Sequence, residues 1–188
     1  PFGDNTEAYS YATTEAQREI FTNIIFGGDA ANCSYNESVT LVVEGALNVQ
    51  ALQQAIDDVL AKHEALRSTF SEDGTTLTVH PSIGFEHTLI DLSLERDGVN
   101  SVEYREILLG EVTASFDLIN GPLIDFKIIK FSDSLFHFLI TAHHIICDGW
   151  SIGIIMQDVA AFYNQYAANV SYPYEETIAF KNYSAKLF

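Results

Sequence analysis

Cysteine and positive charge are scarce in this chain, and no apolar run in it is long. Cys33 and Cys147 are the only cysteines, 114 positions apart. Two cysteines so placed make neither a disulfide framework nor a zinc site, which fits a reducing compartment. Lys and Arg number 9 against 26 Asp and Glu, a formal net charge of -17. A surface of that sign repels phosphate backbones and anionic bilayers, so neither nucleic acid nor a membrane surface is an expected partner. No apolar run is long enough to span a bilayer, and no basic-then-apolar leader opens the chain. These absences point to a cytoplasmic location. The Asn-x-Ser triplets at Asn32, Asn36, Asn169 and Asn182 are read as chance in that context. Internal repeats, low-complexity tracts and Gly/Ser linkers are missing too. The chain opens on Pro1 rather than Met, as expected of a piece of a longer protein.

The remaining composition is that of a folded chain. Of 188 residues, 47% are hydrophobic and 12% aromatic, enough to build a core. "TTEAQREIFTNIIF" (13–26) opens with a capping box, Thr14 paired with Gln17, and Ala16, Ile20 and Ile24 then mark a helix face. "SVTLVVEG" (38–45) is β-branched and reads as a strand. The next helix starts from Asn48 as N-cap, carries Leu52, Ile56, Val59 and Leu60 on one stripe, and gives way to extended chain by Ser68. An Asp-Gly turn at Asp73 and Gly74 predicts a hairpin, and 85–92 predicts a further strand. Tyr104, Leu108 and Val112 suggest a helix over 101–118. Residues 122–131 and 135–145 then read as an antiparallel pair joined by "SDS". The second of these is apolar on both parities, as for a strand covered on both faces. A helix over 151–166 follows, with Ser151 as its expected N-cap, and a weakly helical tail occupies 172–188. The expected fold class is therefore α/β, a mixed β-sheet with helices packed on it.

"TAHHIICDGWS" (141–151) lies between the buried strand and that helix, where α/β proteins commonly hold reactive groups. His143 and His144 are adjacent, so on extended chain they point in opposite directions and only one can face a given cleft. No Cys or carboxylate cluster at ligand spacing accompanies them, which argues against a metal. A structural histidine and a functional one both remain open at this point. The combination of a titratable base, a carboxylate and a glycine turn within seven residues favours function.

"HHIICDG" resembles the HHxxxDG motif of the condensation domains of non-ribosomal peptide synthetases, members of the chloramphenicol-acetyltransferase-like superfamily. Other stretches fall in that family's order. "TEAQREIF" (14–21) is similar to its first core motif and "KHEALRSTF" (62–70) to its second. "FDLINGPLIDFKI" (116–128) is similar to the segment leading into the histidine strand, and "FKNYSAKLF" (180–188) to a degraded later motif. The resemblance implies a chloramphenicol-acetyltransferase-like lobe. Residues 1–175 would form the N-terminal lobe of a two-lobe domain, and 176–188 would start the connection towards its C-terminal lobe.

It implies amide-bond formation between a thioester donor and an amine acceptor. Each would be carried on the phosphopantetheine arm of a donor or acceptor carrier protein, with no cofactor bound by the chain itself. By motif position, His144 is the catalytic candidate, as proton acceptor or by positioning. His143 is structural, Asp148 holds the loop, Gly149 allows the turn and the approach of the arm, and Arg67 is the expected ion-pair partner of Asp148. Trp150 is expected to pack the helix start. Cys147 stands where the family often has serine and is read as inert, having no basic neighbour. A lone lobe is expected to be inactive and to expose an apolar interface. Epimerising or ester-forming members of the superfamily, and a non-catalytic lobe that docks carrier proteins, are the alternative readings.

Overall fold

A computed structural model describes residues 7–169, which hold seven strands and four α-helices. In chain order these are β1 (Tyr9–Ala12), α1 (Glu15–Cys33), β2 (Asn36–Glu44), α2 (Val49–Lys62), β3 (Ser68–Phe70), β4 (Thr76–Val79) and β5 (Thr88–Asp91). Then come α3 (Val102–Thr113), β6 (Ile124–Ser132), β7 (Leu135–His143) and α4 (Gly149–Ala168). The strands form two sheets. The larger runs β2-β7-β6-β5, antiparallel except for the parallel β5 and β6, and the smaller runs β1-β4-β3. The tail from 172 and the stretch 180–188 lie outside the described residues.

Strand β7 is central and buried along its length except at Leu135. Its even-numbered residues Phe136, Phe138, Ile140 and Ala142 join Phe126 and Ile128 of β6 on one face. Leu52, Ile56 and Val59 of α2 and Ile152, Ile155 and Val159 of α4 close that face. Phe126 and Phe138 stack with ring centroids 5.9 Å apart. On the opposite face Leu139 and Ile129 meet Tyr104 of α3. Both faces are thus covered, so that His137, Thr141 and His143 on the odd parity of β7 are buried like the apolar even parity. A third cluster joins α1 to the small sheet through Phe21, Ile24, Phe70, Leu77 and Val79. Helices α2 and α4 are also clasped by Asp158, which accepts from Lys62 and lies against His63, both at 2.7 Å.

Several elements differ from the sequence expectation for physical reasons. Helix α1 buries Gln17 rather than Ala16, because the capping box turns Gln17 inward. It also runs on to Cys33 across a kink at Gly28 (φ 62°). Helix α3 ends at Thr113, and Val112 is exposed, so the segment before β6 is not helical. Helix α4 starts two residues before Ser151, and its N-cap is Asp148, not Ser151. Strand β1 has too short a pattern to stand out from sequence. It is held by its register with β4, Tyr9 opposite Val79. The expected turn at Asp73 and Gly74 forms, with Gly74 at φ 67°.

Candidate active site

The loop 144–148 connects the buried end of β7 to the start of α4, and both ends are firmly held. The His143 amide donates to the Leu123 carbonyl at 2.9 Å, and the His144 amide donates to the Tyr35 carbonyl at 2.8 Å. Gln17 Nε2 reaches across from α1 to the Ile145 carbonyl at 3.3 Å. At the other end Asp148 caps α4, accepting from the Ser151 amide at 2.8 Å and from its hydroxyl at 2.7 Å. The Ser151 amide and hydroxyl hold the Asp148 carboxyl below its ordinary range, with a smaller contribution from His144. Asp148 therefore orders the loop by ending it in a capped helix.

The two histidines diverge, as adjacent residues at a strand end must. His143 is fully buried between the rings of Tyr35 and Phe116, at 5.9 and 6.0 Å. Its Nδ1 accepts from the Ile145 amide at 3.1 Å, while Nε2 is buried without a hydrogen bond. Burial pushes its pKa down to about 4, and the nearby His144 adds to this. The Asn32 main chain opposes the shift without closing a hydrogen bond to Nε2. His143 is thus a neutral internal brace for the loop. His144 is 41% exposed, and its Nδ1 lies 2.5 Å from Glu37 Oε1 of β2.

His144 and Asp148 border an open cleft of about 670 Å³. Its other walls include Thr14, the N-cap of α1, Gln17 and Ile20 of α1, Tyr11 of β1, and Ala65. The cleft thus lies where the stretches 14–21 and 62–70 meet the HHxxxDG loop. Its floor carries Ile145, Ile146 and Cys147. Burial, with the Glu37 and Asp148 charges behind it, pushes the Cys147 thiol up to about 12, which leaves it a protonated, inert side chain.

Arg67, Gly149 and Trp150 depart from expectation. Arg67 is buried but makes no ion pair with Asp148. Its Nη1 donates to the His80 carbonyl, and its Nε is buried without a partner. The reason is topological. The main chain at Arg67 accepts from the His80 amide at 3.0 Å, which fixes Arg67 against the small sheet, while Asp148 is exposed and engaged by Ser151. Gly149 is not needed for a turn. Its φ is not positive, and an added Cβ would meet nothing within 4 Å. Trp150 does not pack the helix start but is 87% exposed, with Ile154 exposed one turn on.

Sequence reasoning also missed Glu37. The signal was available: Glu37 shares strand parity with Val39, Leu41 and Val43, the residues of β2 that pack on the main core. A carboxylate on an otherwise apolar face calls for a partner. Among the described residues no group of three or more His, Cys, Asp and Glu side chains could hold a metal ion, and no helix is long and apolar enough to cross a membrane.

Comparison with known proteins locates this architecture. The family described as Condensation domain matches residues 7–187. Chondramide synthase cmdD of Chondromyces crocatus is 28% identical over 165 residues, covering 87% of this chain and 4% of that protein. Malpinin synthetase of Mortierella alpina is 31% identical over 160 residues, covering 84% of this chain and 2% of that protein. Among solved structures, the starter condensation domain of rhizomide synthetase RzmA superposes with a TM-score of 0.86 at 21% identity. The match covers 95% of this chain and 43% of that one. A variant of the same starter domain has been solved in complex with C8-CoA and Leu-SNAC. The chain thus spans less than half of the solved domain and a few per cent of the synthetases.

Proposed function

Because the chain belongs to the condensation-domain family, we propose that it is the N-terminal, histidine-bearing lobe of a domain that makes amide bonds in non-ribosomal peptide assembly. The donor is an acyl or peptidyl thioester and the acceptor an amine. Each arrives on the phosphopantetheine arm of a carrier protein. The observation that carries this reading is His144 standing on the wall of an open cleft, with its loop capped by Asp148 and its ring held by Glu37. The complex of the related starter domain with an acyl-CoA and a Leu-SNAC supports it, since one is an acyl thioester and the other carries an amine.

The chemistry asks little of the protein beyond proton handling and orientation. The acceptor nitrogen bonds to the thioester carbonyl carbon and loses a proton, the carbon–sulfur bond breaks, and the departing thiolate is protonated to the thiol. The thioester is already activated, so no protein nucleophile is required, and the inert Cys147 offers none. With Glu37 Oε1 2.5 Å from Nδ1 of His144, Nε2 is the ring nitrogen away from that carboxylate, available to take the amine proton or to orient the amine. Ile20, Leu77, Ile145 and Ile146 among the walls of the cleft offer apolar surface for the stem of a pantetheine arm. The opposite wall of the reaction centre belongs to the second lobe. Trp150 and Ile154, exposed at the start of α4, are the apolar residues available to meet it.

The test is amide formation by the intact two-lobe domain with both carrier proteins loaded. His144→Ala lowers turnover by about 10²–10⁴-fold. Near-normal turnover in that variant overturns the assignment of His144.

A further inference from the structure

Residues 35–37 hold His144 from two directions, and the second hold is chemical. The Tyr35 carbonyl accepts the His144 amide at 2.8 Å, which fixes the main chain. Glu37 Oε1 lies 2.5 Å from His144 Nδ1, which sets a carboxylate directly against the ring. The register explains the reach. Glu37 stands opposite Ala142 across the β2–β7 ladder, and His144 is two residues further along, the diagonal position from which long side chains meet. Residues 35 and 36 are themselves braced. Asn36 Nδ2 donates to the Ala114 carbonyl at 2.7 Å, and Asn23 Nδ2 of α1 donates to the Tyr35 hydroxyl at 3.0 Å.

We propose that Glu37 is a positioning residue for His144: its carboxylate accepts the Nδ1 proton, selects the tautomer with a bare Nε2, and turns that nitrogen to the cleft. This inference rests on the reading of His144 given above. A neutral imidazole carries one N–H, and the hydrogen bond made by one ring nitrogen decides which nitrogen is free to accept a proton. Were the proton on Nε2, the ring could not take one from an incoming amine. Once Nε2 has accepted the amine proton, the imidazolium faces the Glu37 carboxylate directly and is stabilised by it until the proton passes to the departing thiolate. Asp148 also bears negative charge nearby, but its Oδ1 is engaged by the Ser151 amide and hydroxyl. Glu37 is therefore the carboxylate that orients the ring. A chance surface pair would sit on the solvent face of β2. Glu37 sits instead on the parity of Val39, Leu41 and Val43, at the end of the face that packs on the core.

The experiment compares Glu37→Gln, Glu37→Ala and His144→Ala in the intact two-lobe domain with loaded carrier proteins. Turnover is measured together with the ¹⁵N resonances of the His144 ring. Glu37→Gln keeps size and an acceptor oxygen but removes the charge, and lowers kcat about tenfold. Glu37→Ala lowers it further, towards the loss seen on removing His144, about 10²–10⁴-fold. KM for either carrier-bound substrate changes by less than about threefold, because the substrates do not touch Glu37. The His144 ring signals Nδ1–H and a bare Nε2 in the parent and shifts towards Nε2–H in Glu37→Ala. Unchanged kcat in both Glu37 variants, or an unchanged tautomer in Glu37→Ala, overturns the proposal. If His144→Ala keeps its turnover, the catalytic reading of His144 fails instead, and the ring resonances still decide whether Glu37 sets the tautomer.

Discussion

His143 gives the chain a titratable weak point whose size and sign follow from its surroundings. The ring is fully buried, accepts the Ile145 amide at Nδ1, and has its pKa pushed down to about 4. In the unfolded chain the same group titrates at about 6.5. Above the unfolded value the ring is neutral in both states, and its contribution to folding is fully present. As pH falls from about 6.5 to about 4, the unfolded chain binds a proton that the folded one refuses, so stability is lost through that window. A separation of about 2.5 units corresponds to about 3 kcal/mol in total, of which about 2 kcal/mol is gone by pH 5. The perturbation that isolates the effect is His143→Asn, which keeps an acceptor near the place of Nδ1 and does not titrate. Urea unfolding of the intact domain at pH 7.5, 6 and 5 is run on both proteins. His63 and His137, whose pKa values are also lowered by burial, contribute equally to both and cancel in the difference. The variant starts less stable at pH 7.5, because it leaves a gap between Tyr35 and Phe116, and the difference shrinks by about 2 kcal/mol on going to pH 5. Stability differences that stay constant within about 0.5 kcal/mol over that range refute the reasoning, since His143 would then be protonated as readily folded as unfolded.

Two further outcomes test the loop geometry. A double-mutant cycle on Arg67→Ala and Asp148→Ala gives a coupling energy below about 0.5 kcal/mol, with Asp148→Ala alone costing about 1 kcal/mol as a lost helix cap. A coupling above about 1.5 kcal/mol in urea unfolding restores the ion pair between them. Gly149→Ala changes the melting free energy by no more than about 1 kcal/mol, because the position has no positive φ and open space around it. A large destabilisation shows that the glycine is required by the backbone.

The strands β2, β6 and β7 and the antiparallel β6–β7 pair were readable from their apolar runs and the short turn between them, whereas the pairings of β2 with β7 and of β5 with β6 were not. The even parity of β7 is wholly apolar and Leu139 adds an apolar residue to the other, in a strand buried on both faces, and the β2 alternation matches one covered face. The caps at Thr14 and Asn48 were readable for the same local reason, each bond being made within one turn. The N-cap of α4 was misread because Asp148 and Ser151 are both good caps three residues apart. Only the chain direction set by His143 and Leu123 puts the first residue rather than the second at the helix boundary. The pairing of Arg67 was misread because it depends on where the turn after α2 lands. That turn is fixed by the contact of Arg67 with His80, on a different sheet from the histidine loop.

Glu37 shows why a motif in one segment does not define a site. The stretch 143–149 supplies the histidine, the cap and the connection into α4. The side chains from Ile145 to Cys147 are apolar or inert, and Asp148 is engaged by Ser151 at the start of α4. A ring 41% exposed at a loop end is only partly held by packing and gains from a polar anchor. The neighbouring strand is the nearest source of one, and the antiparallel register brings its first residues, not its last, beside the loop. An acidic residue at the start of β2 on the core-facing parity is thus the position from which the ring can be held without blocking the cleft. The site is consequently a product of sheet register as much as of the histidine motif, and a one-residue slip of β2 would turn Glu37 to the opposite face and leave His144 unoriented.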